Sequence, residues 1–292
     1  MKTEIKRYLT AFFERFDYPH EARVSLLAAL DKAWCEELEE LIRIYDKQLK
    51  VDYKAFVEQM KAVSQRAGIH PFEGNLLLPL CLVSRMEKYY AEYGYSATLF
   101  EDTVKDFRYK LYECKDLHGV WGSCIAMWFR RLLMLEIFGF GKLLFELREF
   151  GNEYQGNGRQ LTKESLVVAV HIPRTGEPLD RESKNRAYKA AKAFYQPYFG
   201  AGKEVPFTCS SWLLFPRNKE FLKPTSNLRA FMDDYDIFAE REYENYEETW
   251  RIFNKVFTRW EDMPKETSLQ RAYLELIKRG EKTGSGSGVY FL

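Results

Sequence analysis

FGKLLFELREF (140–150), LVVAVHIPRTGEPLD (166–180) and FTCSSWLLFP (207–216) are the stretches whose reading decides the fold. The second opens on a continuous apolar, β-branched run, 166–172, as a strand buried on both faces would. Pro173 stops it and a short loop, 174–179, follows. Asp180 then stands where an N-cap is expected, ahead of an amphipathic helix running to about Tyr198. The first and third stretches read as strands. The order is strand, long polar loop, strand, short loop, helix, strand. A buried strand that feeds a helix N-terminus through a glycine-containing loop is a recurrent phosphate site, because free backbone N–H groups point outward there.

Working outward, the sequence before this centre has helical periodicity. Helices are expected over 4–16, 21–47 (one helix or two), 52–67, 70–93, 96–114 and 122–137. Pro71 sits at a favoured helix start, and Pro79 lies inside the same segment. Gly139 and Gly141 mark the change from helical to strand-like spacing, which puts a domain boundary near Phe138. The result is a two-domain α+β chain: an all-α N-terminal domain, 1–138, and an α/β domain, 139–292. Beyond the centre, a short helix is expected near 218–222, and a helix capped by Ser226 or Thr225 runs to about 234. Segments 237–244 and 250–257 alternate like the arms of a hairpin. A helix over 267–279 is closed by Gly280. GSGSG (284–288) reads as flexible and 289–292 as a final edge strand. GNEYQGNGRQ (151–160) leads into a strand and not a helix, so it reads as a hairpin loop and not a dinucleotide loop.

An apolar fraction of 46% and a charged fraction of 30% are those of a soluble globular protein. The net charge of +1 argues against a general nucleic-acid or membrane-surface binder. No stretch approaches the roughly 18–20 apolar residues of a membrane span. The five cysteines are odd in number, irregularly spaced and without a CxxC pair. With no secretory signal, they read as reduced thiols in a cytoplasmic protein. His20, His70 and His118 share no metal-ligand spacing, so no metal site is expected.

VAVHIPRTGEPLD, FTCSSWLLFP, PTSNLRAF and TSLQRAYLELIKRG together resemble bacterial acyltransferase-domain proteins. Those join an N-terminal helical domain to a GNAT-like C-terminal domain with a mixed central sheet. The resemblance implies an N-acyltransferase that moves an acyl group from acetyl-CoA or a longer acyl-CoA to a small-molecule amine by direct attack. It gives strand 166–172, loop 174–179, the Asp180 helix and strand 207–215 the cofactor-cradling roles. Arg174, Thr175 and Gly176 would then meet the pyrophosphate. The loop departs from the family's glycine-rich pattern: it has only Gly176, flanked by Pro173 and Pro178, with Glu177 and Asp180 set to repel phosphates. That departure favours an alternative, a non-catalytic GNAT-like binding or sensory module.

Amine acylation needs a base for the amine, polarisation of the thioester and a proton for the leaving thiolate. His171, at the end of the buried strand, is the candidate base; otherwise it is a packed core histidine. Glu146 is a carboxylate inside an apolar strand, which needs a partner or serves as a base. Its bland alternative is an outward face shared with Arg148. Ser210 and Ser211 are candidate donors to the thioester carbonyl, whereas Cys209 reads as a buried structural thiol. Trp212 and Asn227 are candidate substrate contacts; as structure, Trp212 is core and Asn227 starts a helix. Tyr235 is the candidate proton donor to the thiolate, a role that the resemblance suggests. Asp233 and Asp234 read as a helix end that would also attract a cationic amine.

Overall fold

The computed structural model describes residues 1–257 and 259–292, and of Glu247 the backbone alone. It divides into two compact units, Met1–Gly139 with Pro173–Thr175, and Phe140–Ile172 with Gly176–Leu292.

The first unit is built from α1 (Lys2–Arg15), α2 (His20–Ala33), α3 (Glu36–Lys47), α4 (Tyr53–Ala67), α5 (Pro71–Glu92), α6 (Ala97–His118) and the short α7 (Phe129–Leu133). α5 is its axis. Every residue from Leu76 to Val83 is buried, so this helix is surrounded and not merely amphipathic. Each of its buried leucines contributes about 1.5–3 kcal/mol of burial. It packs against α1, α2, α3, α4, α6 and α7. The ends follow local chemistry. Asp52 caps α4, His70 and Glu73 form a reciprocal capping box on α5, and Ser96 caps α6.

The helix expected over 122–137 shrinks to α7. The reason is tertiary: Ser123 N donates to Phe72 O at 2.8 Å and Asn75 Nδ2 to Ser123 O at 3.0 Å. A Cβ on Gly122 would lie 2.3 Å from Phe72 O, so glycine alone permits this approach.

The second unit carries β1 (Ile137–Phe140, which begins in the first unit), β2 (Leu143–Glu149), the hairpin β3 (Tyr154–Gly156) and β4 (Arg159–Leu161), β5 (Leu166–His171), α8 (Arg181–Phe199) and β6 (Pro206–Ser211). Then come α9 (Asn218–Phe221), α10 (Asn227–Met232), β7 (Asp236–Glu242), α11 (Trp250–Phe253), α12 (Ser268–Lys278) and β8 (Gly284–Phe291). The six-stranded sheet runs β1-β2-β5-β6-β8-β7. β5 and β6 are parallel, joined through α8, while β2–β5, β6–β8 and β7–β8 are antiparallel. The β3–β4 hairpin closes on Asn157 and Gly158, both at positive φ, as a two-residue turn requires.

Three expectations need correction here. The strand expected over 140–150 is broken by Gly141 at φ +61°, which lets β1 end and β2 begin. The hairpin of 237–244 with 250–257 does not form: Trp250–Phe253 is helical and β7 pairs with β8. Ile252 and Phe253 instead join Tyr273 and Leu274 of α12 in a buried cluster. The GSGSG run is no linker but part of β8, an interior strand. Cβ atoms on Gly284 and Gly286 would lie 2.4 Å from Arg241 O and 2.1 Å from Leu214 O. Composition signalled flexibility there, yet the glycines allow close packing.

Among the described residues, no helix is long and apolar enough to cross a membrane.

Candidate active site

Alternation along the strands sorts the sheet's side chains. Phe145, Val168, Val170, Phe207 and Tyr290 share one face, which α8 covers through Tyr188 and Tyr195. Glu146, Ala169, His171, Thr208 and Ser210 share the other. His171 is registered with Leu144, so Glu146 is its diagonal neighbour, within reach of long side chains. Their atoms meet: His171 Nε2 lies 3.1 Å from Glu146 Oε2. Glu146 is 8% exposed, whereas Arg148, two residues on, is exposed. Glu146 is therefore an inward carboxylate and not part of an outward charged face. A buried carboxylate is costly unless hydrogen-bonded, and the imidazole meets that need.

The sheet parts at this place. The β5–β6 ladder is registered at Val168↔Phe207 and Ala169↔Thr208 and goes no further. Yet β2–β5 pairing continues to Leu144↔His171, and β6–β8 pairing continues to Ser211↔Gly286. The two halves of the sheet thus stay intact while β5 and β6 diverge toward their C-terminal ends. His171 stands on one side of the divergence and Ser210 on the other. Ser210 Oγ is 2.7 Å from Ser287 Oγ of β8, a partner that sequence reasoning missed because the GSGSG run looked structureless.

The remaining candidates are scattered. Ser211 Oγ accepts from Leu213 N and caps the 3-10 turn Trp212–Leu214, which ends the strand expected to reach residue 215. Trp212 packs against Tyr273 and the α12 cluster. Asn227 is exposed at the first turn of α10, where Ser226 is the cap. Tyr235 is buried on the α8 side of the sheet and shares a hydrogen bond with Tyr188. Burial holds the Tyr235 phenol well above its ordinary pKa. The structure does not bring this hydroxyl to the Glu146–His171 pair. Cys209 is buried, and burial pushes its thiol up to about 12, which suits a structural thiol and not a nucleophile.

The loop after β5 has two parts. Arg174 belongs to the first unit, where Nη2 pairs with Asp116 Oδ2 of α6 at 2.6 Å. Its Nη1 is buried and hydrogen-bonds to no protein atom. Thr175 N donates to Pro173 O. Gly176, at φ +79°, begins the return to the second unit. There Lys142, from the β1–β2 turn, donates to Pro178 O at 2.9 Å and pairs with Glu177 Oε2 at 2.9 Å and Asp180 Oδ2 at 3.9 Å. Asp180 caps α8 through Ser183 N, and that hydrogen bond holds its carboxyl below the usual range. The two acids expected to repel phosphates are therefore offset by a lysine that lies 35 residues before Glu177 in sequence.

Residues 137–290 match the family described as the GNAT-like C-terminal domain, and residues 7–135 match the N-acyltransferase N-terminal domain. The chain belongs to this N-acyltransferase family with a GNAT-like C-terminal domain. Solved structures share the fold at low identity. An acyltransferase in complex with decanoyl-CoA and teicoplanin aligns with TM-score 0.74 and 19% identity, over 97% of this chain and 87% of that one. An acyltransferase in complex with decanoyl-CoA aligns with TM-score 0.73 and 16% identity, over 96% and 86% of the two chains. One in complex with CoA and 10C-Teicoplanin aligns with TM-score 0.73 and 18% identity, over the same shares. No curated protein matches the chain.

Proposed function

We propose that this GNAT-like N-acyltransferase transfers an acyl group from an acyl-CoA to an amine, with His171 as general base and Glu146 as the residue that positions it. The observation that carries the reading is the Glu146–His171 pair at the point where β5 and β6 diverge. The structural relatives bound to decanoyl-CoA support acyl-CoA as the co-substrate. The orphaned, buried Nη1 of Arg174 is a donor suited to an anionic group such as a phosphate.

In the proposed step, neutral His171 takes the proton of the attacking amine as its nitrogen bonds to the thioester carbon. The C–S bond then breaks, and the imidazolium returns the proton to the departing thiolate. Glu146, acting through His171, fixes the ring and stabilises the imidazolium. Ser210 supplies a polar group on the far side of the divergence. No covalent acyl-enzyme is needed, in keeping with the raised pKa of Cys209.

The test is release of the CoA thiol, with acyl-CoAs of rising chain length against a panel of amines and product confirmation by mass spectrometry. The expected result is amine-dependent release that is lost in His171→Ala. Acyl-CoA binding with no turnover across the panel would favour the non-catalytic module instead.

A further inference from the structure

β8 alternates glycine and serine over 284–288, and strand geometry sends the two residue types to opposite faces of the sheet. Gly286 and Gly288 lie on the face of Tyr290, where an added Cβ would come within 2.1 Å of Leu214 O and 2.9 Å of Tyr235 Cβ. Ser285 and Ser287 stand on the face of Glu146 and His171. Ser287 is paired on both sides, with Ser210 of β6 and with Ala239 of β7. Close packing on one face and pairing along both edges therefore fix where the Ser287 hydroxyl stands on the other. Its Oγ is 2.7 Å from Ser210 Oγ. Ser287 is half-buried and Ser210 is exposed.

We propose that Ser210 and Ser287 work in series on the thioester, an inference that rests on the acyl transfer proposed above. Ser210 donates to the carbonyl oxygen as a catalytic residue, and Ser287 donates to Ser210 and positions it. Two hydroxyls that share one hydrogen bond spend one of their two protons on it. Among the described residues neither side chain bonds to another protein atom, so the second proton is left for a ligand. As the amine nitrogen bonds to the thioester carbon, the C=O π pair moves onto the oxygen. The Ser210 O–H meets that charge without giving up its proton. When the C–S bond breaks, the pair returns to re-form the carbonyl, and the thiolate takes its proton from the His171 imidazolium. A hydroxyl that accepts one hydrogen bond donates the next more strongly, which is what Ser287 adds.

Register sets the pair where this role needs it. The β5–β6 ladder matches Val168 with Phe207 and Ala169 with Thr208. Continued by two residues, it puts His171 across from Ser210, where the strands have parted. A thioester between them would meet the base on one side and the hydroxyl on the other. The division of labour follows from exposure: the open Ser210 reaches the ligand, and Ser287 stands behind it on an interior strand. As structure alone the pair does little, because water replaces a hydrogen bond lost at an exposed hydroxyl. That difference separates the two roles by experiment.

The full-length protein is loaded, without amine, with acetyl-CoA, octanoyl-CoA or decanoyl-CoA carrying a 13C label at the thioester carbonyl, and the bound band is read by isotope-edited infrared spectroscopy. A polarised carbonyl absorbs at lower wavenumber than the same ester in water. The expected result is that shift in the wild type, its loss in Ser210→Ala, a smaller shift in Ser287→Ala and its return in Ser287→Thr, which keeps the hydroxyl. Ser285→Ala is the control: it lies on the same strand and face, beyond the last β6–β8 pair at Ser211↔Gly286. With an amine that supports release of the CoA thiol, Ser210→Ala lowers kcat about 10²- to 10³-fold, as loss of an oxyanion donor does, with KM for acyl-CoA unchanged. Ser287→Ala lowers kcat less, and its melting temperature stays at the wild-type value. A bound ester that absorbs as it does in water, or an equal effect of Ser285→Ala, would overturn this inference and leave the acyl transfer standing. Failure to bind all three esters would overturn both.

Discussion

Replacing Glu146 with glutamine separates positioning from packing. The substitution keeps the shape of a side chain that is 8% exposed and removes the charge 3.1 Å from His171 Nε2. A hydrogen bond to a charged partner contributes about 1.5–3 kcal/mol. At about 1.36 kcal/mol per factor of ten, loss of that contribution as His171 becomes cationic lowers kcat by about 10- to 150-fold. His171→Ala removes the base itself and should cost about 10²- to 10⁴-fold. The assay is CoA-thiol release at saturating acyl-CoA and amine, with KM values measured for both. Because Glu146 is argued to act only through His171, adding Glu146→Gln to His171→Ala should cost nothing further. An undiminished loss in the double variant, or a change in KM alone, would refute that coupling.

Three further outcomes test the framework around the site. Lys184 is 2% exposed, with its ammonium on Asp234 and on Ala230 O, so Lys184→Met strands the Asp234 charge; urea unfolding should show a loss of roughly 3 kcal/mol, largely regained in Lys184→Met/Asp234→Leu. Gly286→Ala puts a Cβ where Leu214 O already lies, and thermal melting should register about 1–3 kcal/mol of overpacking, whereas a flexible linker would show none. Asp180 has a folded-state pKa lowered by its cap bond to Ser183, so its ionised form adds stability above the ordinary aspartate pKa, and that stability fades as pH falls through the lowered value. Asp180→Asn should therefore be less stable than wild type near neutrality and converge with it in acid, as followed by circular dichroism.

The sheet's centre was legible because its chemistry is local. The β-branched run of β5, its stop at Pro173, the Asp180 cap and the amphipathic face of α8 each follow from neighbours in sequence. Where a distant contact overrides local preference, sequence failed. Gly122 lies against the Phe72 carbonyl and ends helical expectation after α6. The glycines of β8 look like a linker until Leu214 and Arg241 are seen against them. Trp250–Phe257 alternates, but only the contacts of Ile252 and Phe253 with α12 show that its start is helical.

The candidate site divides the same way. His171 and Glu146 stood out singly, as a strand-end histidine and a carboxylate among apolar residues. Their pairing required the β2–β5 register, which no local pattern encodes. Lys142 was missed because its partners, Glu177 and Asp180, lie more than thirty residues away. Tyr235 was singled out by the resemblance, and the strand register places it across the sheet from the pair.

Calorimetric titration of the wild-type protein with CoA, acetyl-CoA, octanoyl-CoA and decanoyl-CoA tests the central claim most directly. Saturable binding of at least one acyl-CoA at one site per chain is expected, weakened when Arg174→Ala removes its guanidinium donors. No binding by any of the four ligands would contradict it.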